Sequence, residues 1–274
     1  MKGLSRFFFV LALISFVSCS EEDNPIEVDN TSFIFFDDFE SESETLDDLF
    51  LDDESRWSNV QIVSPQSGVN QIQLSDEHGS RSLEFLALPS DFIVSKAGIE
   101  KGGLVSQRGS LVTLKADFYL PEGSSYENVL LADVECCSCW DPNVPDNQCP
   151  GVRLMFDENG EFLQLERGKI GYPTLGQTEV VFPKDEWVQV ELQLTLSDTE
   201  AGENRLFING VKALDINAVN LPNQEVFETL FAEVGIDFHL TEPLGYERIQ
   251  LGVTANPAGD TTRVWVDNVE IVVK

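Results

Sequence analysis

Glu186-Trp187-Val188-Gln189-Val190-Glu191-Leu192-Gln193-Leu194-Thr195-Leu196, with Asn204-Arg205-Leu206-Phe207-Ile208-Asn209-Gly210 close behind, decides the fold. Val188, Val190, Leu192, Leu194 and Leu196 alternate with Trp187, Gln189, Glu191, Gln193 and Thr195. Successive side chains of a strand point to opposite faces, so this spacing predicts a strand over 187–196 with one apolar and one polar face. Asn209-Gly210 suits a two-residue turn, because both central residues of that turn take positive φ. It turns a strand at 204–209 back into one at 211–216.

Asn159-Gly160 carries the same signal and folds 151–167 into a second hairpin. Counting outward sets Arg153 opposite Glu166 and Met155 opposite Gln164. Val152, Leu154, Phe156, Leu163 and Leu165 then share the core face. Arg153, Met155, Asp157, Phe162, Gln164 and Glu166 share the other. Short apolar runs bounded by turn residues predict further strands at 33–39, 59–63, 81–87, 111–119, 128–134, 247–254 and 262–273. Only 224–233 has a helical period, enough for one short helix. No linker and no fixed-period repeat divides 33–274, so the chain reads as all-β, one β-sandwich domain.

Residues 1–18 stand apart. Lys2 and Arg6 precede or open an apolar run, Phe7 to Val17, that is too short to span a bilayer and sits where a signal peptide does. Phe16-Val17-Ser18-Cys19 resembles a bacterial lipobox, although Phe stands where Leu is usual. The resemblance implies that Cys19 is lipidated and that the chain meets a membrane through this anchor alone. Ser20-Glu21-Glu22-Asp23 resembles the acidic tag of Bacteroidetes surface lipoproteins, which implies the outer face of the outer membrane. Residues 19–32 read as an acidic tether. Lys+Arg number 17 against 48 Asp+Glu, a formal charge of −31. That balance argues against a nucleic-acid partner, since phosphate contacts need Lys and Arg, and against electrostatic docking on anionic lipid.

The hairpin at 186–210 is similar to that of concanavalin A-like lectin/glucanase domains, where a Trp-led strand precedes one ending in Asn-Gly or Asp-Gly. Asp37-Asp38-Phe39-Glu40 in the first strand and Val264-Trp265-Val266-Asp267-Asn268-Val269 in the last agree with this. The resemblance implies a jelly-roll β-sandwich and a polysaccharide or other glycan as partner. Lectins, glycoside hydrolases, polysaccharide lyases and laminin-G-like modules share that fold, so function must be argued from the site. The resemblance also implies a structural calcium where the first and last strands meet, with oxygens from Asp38, Glu40 and Asp267. No organic cofactor is expected.

Asp133 and Glu135 share a strand face, and Leu130 to Glu135 resembles half of the Glu-x-Asp-x-x-Glu signature of family 16 glycoside hydrolases. Leu131 and Cys136 occupy the two positions that need Glu, which rejects a glucanase by this motif. A polysaccharide lyase needs a different set: a cation or amide to neutralise the uronate carboxylate and a base to remove the C5 proton. Arg167-Gly168-Lys169-Ile170-Gly171-Tyr172 resembles the Lys-Ala-Gly-x-Tyr-x-Gln run of jelly-roll alginate lyases, with Gln177 displaced. That implies Tyr172 as base, with His239 as the other candidate and Arg153 or Arg167 as neutraliser.

Cys136, Cys137, Cys139 and Cys149 remain as an even four in an exported chain, which predicts disulfides stapling the Pro-rich loop between them. Adjacent Cys136-Cys137 is poor ligand spacing for zinc. A vicinal bond would be strained, so Cys149 joins one of the trio and the other pair forms locally. The expected function is binding of an extracellular glycan through the sandwich face, with Trp140 as stacking ring and Arg153, Gln164, Glu166 and Lys169 as polar contacts. Elimination on a uronate-containing glycan and a structural or adhesion role are the alternatives.

Overall fold

The computed structural model describes residues 33–41, 45–51, 55–90, 94–139, 149–168 and 174–274. Its strands are β1 Phe33–Asp37, β2 Asn59–Val63, β3 Gln71–Ser75, β4 Ser82–Ala87, β5 Lys96–Gly102 and β6 Leu111–Tyr119. Then come β7 Leu130–Glu135, β8 Gly151–Phe156, β9 Phe162–Gly168, β10 Thr174–Val181 and β11 Trp187–Thr195. β12 Glu203–Ile208, β13 Val211–Asn217, the helix α1 Gln224–Ala232, β14 Arg248–Ala255 and β15 Thr262–Val273 complete the order.

Two antiparallel sheets face each other across one core. One runs β13-β12-β11-β6-β15-β4-β3, with β1 also paired to β15; the other runs β10-β9-β8-β7-β14-β5-β2. Apolar positions at period two line both inner faces. Leu83, Phe85, Phe118, Val190 and Leu192 come from the first sheet, and Ile99, Val134, Leu154, Leu165 and Leu251 from the second. Removing apolar surface from water is the dominant favourable term in folding, so the alternation visible in β11 fixes which face turns inward. The concanavalin A-like jelly-roll sandwich implied by the sequence is the fold observed.

Asn209 and Gly210 both take positive φ, 49° and 73°, and join β12 to β13 as the sequence predicts. The other Asn-Gly differs. There only Gly160 has positive φ. Its N–H donates to the Asp157 carbonyl at 3.1 Å. The Asp157 carboxylate accepts from the backbone N–H of Glu161 at 2.8 Å and of Phe162 at 3.0 Å. The side chain of Asp157 therefore builds this turn, in place of the two-residue turn expected. The register is unaffected: Arg153 pairs with Glu166 and Met155 with Gln164. Leu154, Phe156, Leu163 and Leu165 are all buried, as predicted.

Candidate functional site

The outward face of the seven-stranded sheet is polar. Thr174, Glu166, Arg153, Asp133, Gln250, Glu100 and Asn59 stand opposite one another in a single row that crosses all seven strands. Beside it runs a second row, Gly168, Gly151, Glu135, Arg248 and Gly102. Gly168 is there for a reason of space: the Arg153 side chain lies across it, where any Cβ would collide with the guanidinium.

The two arginines are held differently. Arg153 Nε lies 3.1 Å from Asp133 Oδ1, an ion pair off the line of a hydrogen bond, and Oδ1 is buried without a donor. Nη1 and Nη2 of Arg153 have no partner among the described residues. Arg248, by contrast, is fully engaged. Its Nε and Nη2 donate to Glu135 Oε2 at 2.9 and 2.7 Å, and Nη1 lies 3.0 Å from Glu100 Oε2. Nη2 also reaches Cys149 Sγ at 3.3 Å. Gln250 Nε2 gives Glu135 Oε2 a further donor at 2.8 Å. Burial pushes the Glu135 carboxyl above its ordinary range, the Asp133 charge adds to this, and Arg248 pulls the other way.

The disulfides are Cys136–Cys139 and Cys137–Cys149, one local pair and one to Cys149. The N–H groups of Cys137 and Ser138 both donate to Glu247 Oε1 at 2.9 Å, which ties this segment to the entry of β14. Glu135, Cys137 and Cys149 bring ligand atoms within 4.8 Å of one another, but the two sulfurs are bonded to each other and offer no thiolate to a metal.

Gln164 and Glu166 lie on the polar face beside Arg153, where the sequence placed them. Arg167 does not. It pairs opposite Val152, on the inward side of β9, and its Nη1 reaches the Val219 carbonyl at 3.4 Å. Strand alternation therefore separates Arg167 from Arg153, and only Arg153 faces outward. His239 stands on no strand. It follows α1, is exposed, and its ring faces Asp237 at 3.3 Å and Glu228 at 4.0 Å. Cys19, Trp140, Lys169 and Tyr172 lie outside the described residues. Residues 169–173 are the connection from Gly168 of β9 into β10. Glu100, Arg248 and Gln250 belong to the site but were not singled out in the sequence. Their period-two spacing puts Arg248 and Gln250 on one face, yet nothing local says which strands lie beside them.

In the other sheet β1 pairs with β15, Asp37 opposite Val269. Asp267 accepts from the Ser80 hydroxyl and from the Asn268 backbone N–H, each at 2.7 Å. Glu40 accepts from the Arg81 N–H at 3.2 Å, and Asp38 from the Glu40 N–H at 3.3 Å. Burial pushes Asp267 up, and the charges of Glu40 and Asp117 add to the rise against the Ser80 and Asn268 hydrogen bonds.

No protein-family model matches the sequence, and no curated protein does. Solved structures do. The endo-β-1,4-glucuronan lyase from the fungus Trichoderma reesei has a TM-score of 0.58 at 13% identity, over 86% of this chain and 94% of that one. Alginate lyase Aly36B has a TM-score of 0.56 at 14% identity, over 87% and 96%. A variant of that enzyme in complex with alginate trisaccharide has a TM-score of 0.52 at 13% identity, over 87% and 97%. At these identities the likeness defines the fold alone, a jelly-roll β-sandwich.

Proposed function

We propose that the polar face of the seven-stranded sheet binds a uronate-containing polysaccharide and cleaves it by β-elimination. The observation that carries this is the Arg153 guanidinium, anchored through Nε by Asp133 and with no partner on Nη1 or Nη2 among the described residues, so that the two can grip a carboxylate as a fork. The likeness to lyases of glucuronan and alginate supports it. In this reaction a base takes the C5 proton, the C5–H electrons form the C4–C5 double bond, and the C4–O4 bond breaks. The departing oxygen takes a proton in turn. Arg153 stabilises the charge that builds on the carboxylate as the proton leaves.

No strand of this sheet contains Tyr or His. We assign the base to Tyr172, in the connection between β9 and β10, on the resemblance of Arg167–Tyr172 to the alginate-lyase run. The mature chain incubated with a uronate polymer should generate the absorbance of an unsaturated uronate. Tyr172→Phe should abolish that signal and leave affinity for the polymer intact. Retained binding with no unsaturated product from the wild type would instead assign the face to glycan binding without catalysis.

Calcium beside Asp267 is a separate proposal. A cation there would relieve the crowding of Asp267 against Glu40 and Asp117. A ligand held only by the folded state raises stability with its concentration. Calcium should raise the melting temperature of the wild type, and Asp267→Asn should remove the rise. A wild-type melting temperature indifferent to both EDTA and calcium would dispose of this site.

A further inference from the structure

We infer that the preferred substrate carries isolated carboxylates set between neutral sugars, not a carboxylate on every residue; the inference rests on the elimination reading for its site and on the charge order of the polar face for its content. Arg153 has Glu166 beside it on one neighbouring strand and Asp133 on the other. Glu100 stands in the same row beyond Gln250. Strands lie about 4.8 Å apart, so Glu166 is one spacing from Arg153 and Glu100 three, roughly 14 Å.

Among the described residues no further cation pairs with Glu166, whereas Glu100 is already paired with Arg248 at 3.0 Å. Arg248 already spends its donors on Glu135 and Glu100. Lys96 Nζ lies along the face against Gln250 Oε1 at 3.5 Å, where its charge acts on Glu135. Among the described residues, then, one open guanidinium sits in a row that is otherwise neutral or negative. A chain lying along this row can place one carboxylate on Arg153. A polymer with a carboxylate on each ring would set the next one against Glu166, one strand spacing away, and like charges in juxtaposition weaken binding strongly. Thr174 and Asn59 end the row with hydroxyl and amide groups, which donate to and accept from the hydroxyls of neutral sugars.

The test compares three probes with the same full mature chain at low salt. They are deacylated gellan, in which each 4-linked glucuronate stands between neutral sugars, polyglucuronate and polymannuronate. Unsaturated product should form from gellan with a kcat/KM on the order of ten-fold or more above either homopolymer, as expected of a like-charge clash. The preference should narrow as salt screens the repulsion. It should also narrow in Glu166→Gln, through a gain on the homopolymers. Equal or faster turnover of a homopolymer overturns the inference and leaves the elimination reading standing. Product from none of the three overturns the elimination reading. Affinity electrophoresis in the same three polymers then decides the inference: stronger retardation by gellan supports it, and parity or no retardation overturns it.

Discussion

Arg153→Gln is expected to lower the rate of unsaturated-uronate formation by roughly 10²–10³-fold while weakening polymer binding far less. The guanidinium meets a charge that grows as the C5 proton departs, so its loss costs the transition state more than the bound substrate, and kcat falls more than KM rises. The same substitution strips the cation from Asp133, which is only 4% exposed. Breaking a buried pair by removing one partner costs about 3–5 kcal/mol, so lost stability must be separated from lost chemistry. The double variant Arg153→Gln, Asp133→Asn removes the uncompensated charge. It should recover most of the stability, read by urea unfolding, and none of the rate. Recovery of the rate would make Arg153 a structural group and remove the main support for the lyase reading.

Arg248→Met should be the most destabilising single change on this face, by about 3–5 kcal/mol at neutral pH. Its three nitrogens tie Glu135 of β7 and Glu100 of β5 to β14, which lies between them. Methionine keeps much of the apolar stem and removes the charge, so the two carboxylates are left to repel each other. The sign with pH follows. Burial and Asp133 already raise the folded pKa of Glu135 above 4.5, with Arg248 opposing them. Without Arg248 the folded value rises further. A carboxyl raised on folding favours the native state fully below its unfolded value and loses that contribution as pH climbs through the folded value. The gap between wild type and Arg248→Met should therefore be small below pH 4.5 and widen above it. A gap independent of pH would show that the arginine acts through packing of its stem alone.

The parts of the fold legible in the sequence were those governed by neighbours in the chain. The alternation of 187–196 is a local pattern, and it became β11 with its apolar side inward. Asp157 shows the limit. The Asn-Gly after it gave the right register, but the turn type was decided by a carboxylate that gathers two backbone N–H groups, a competition no dipeptide rule contains. β5, Lys96–Gly102, escaped notice because Gly98, Gly102 and two lysines mask its period. It is held between β14 and β2 by partners distant in sequence.

By itself, then, the sequence determined the class of fold, the facing of the β8–β9 hairpin and the presence of Arg153, Gln164 and Glu166 on one polar surface. All follow from period-two alternation and loop length. Only the tertiary structure decided what stands beside them. Strand order brings Asp133 of β7 against Arg153, turns Arg167 to the opposite side of β9, and places Arg248 of β14 between Glu135 and Glu100. The physical reason is that a strand carries its own alternation but not the identity of its neighbours. Charge pairing across a sheet depends on which strands lie side by side, and burial of the whole core sets that order.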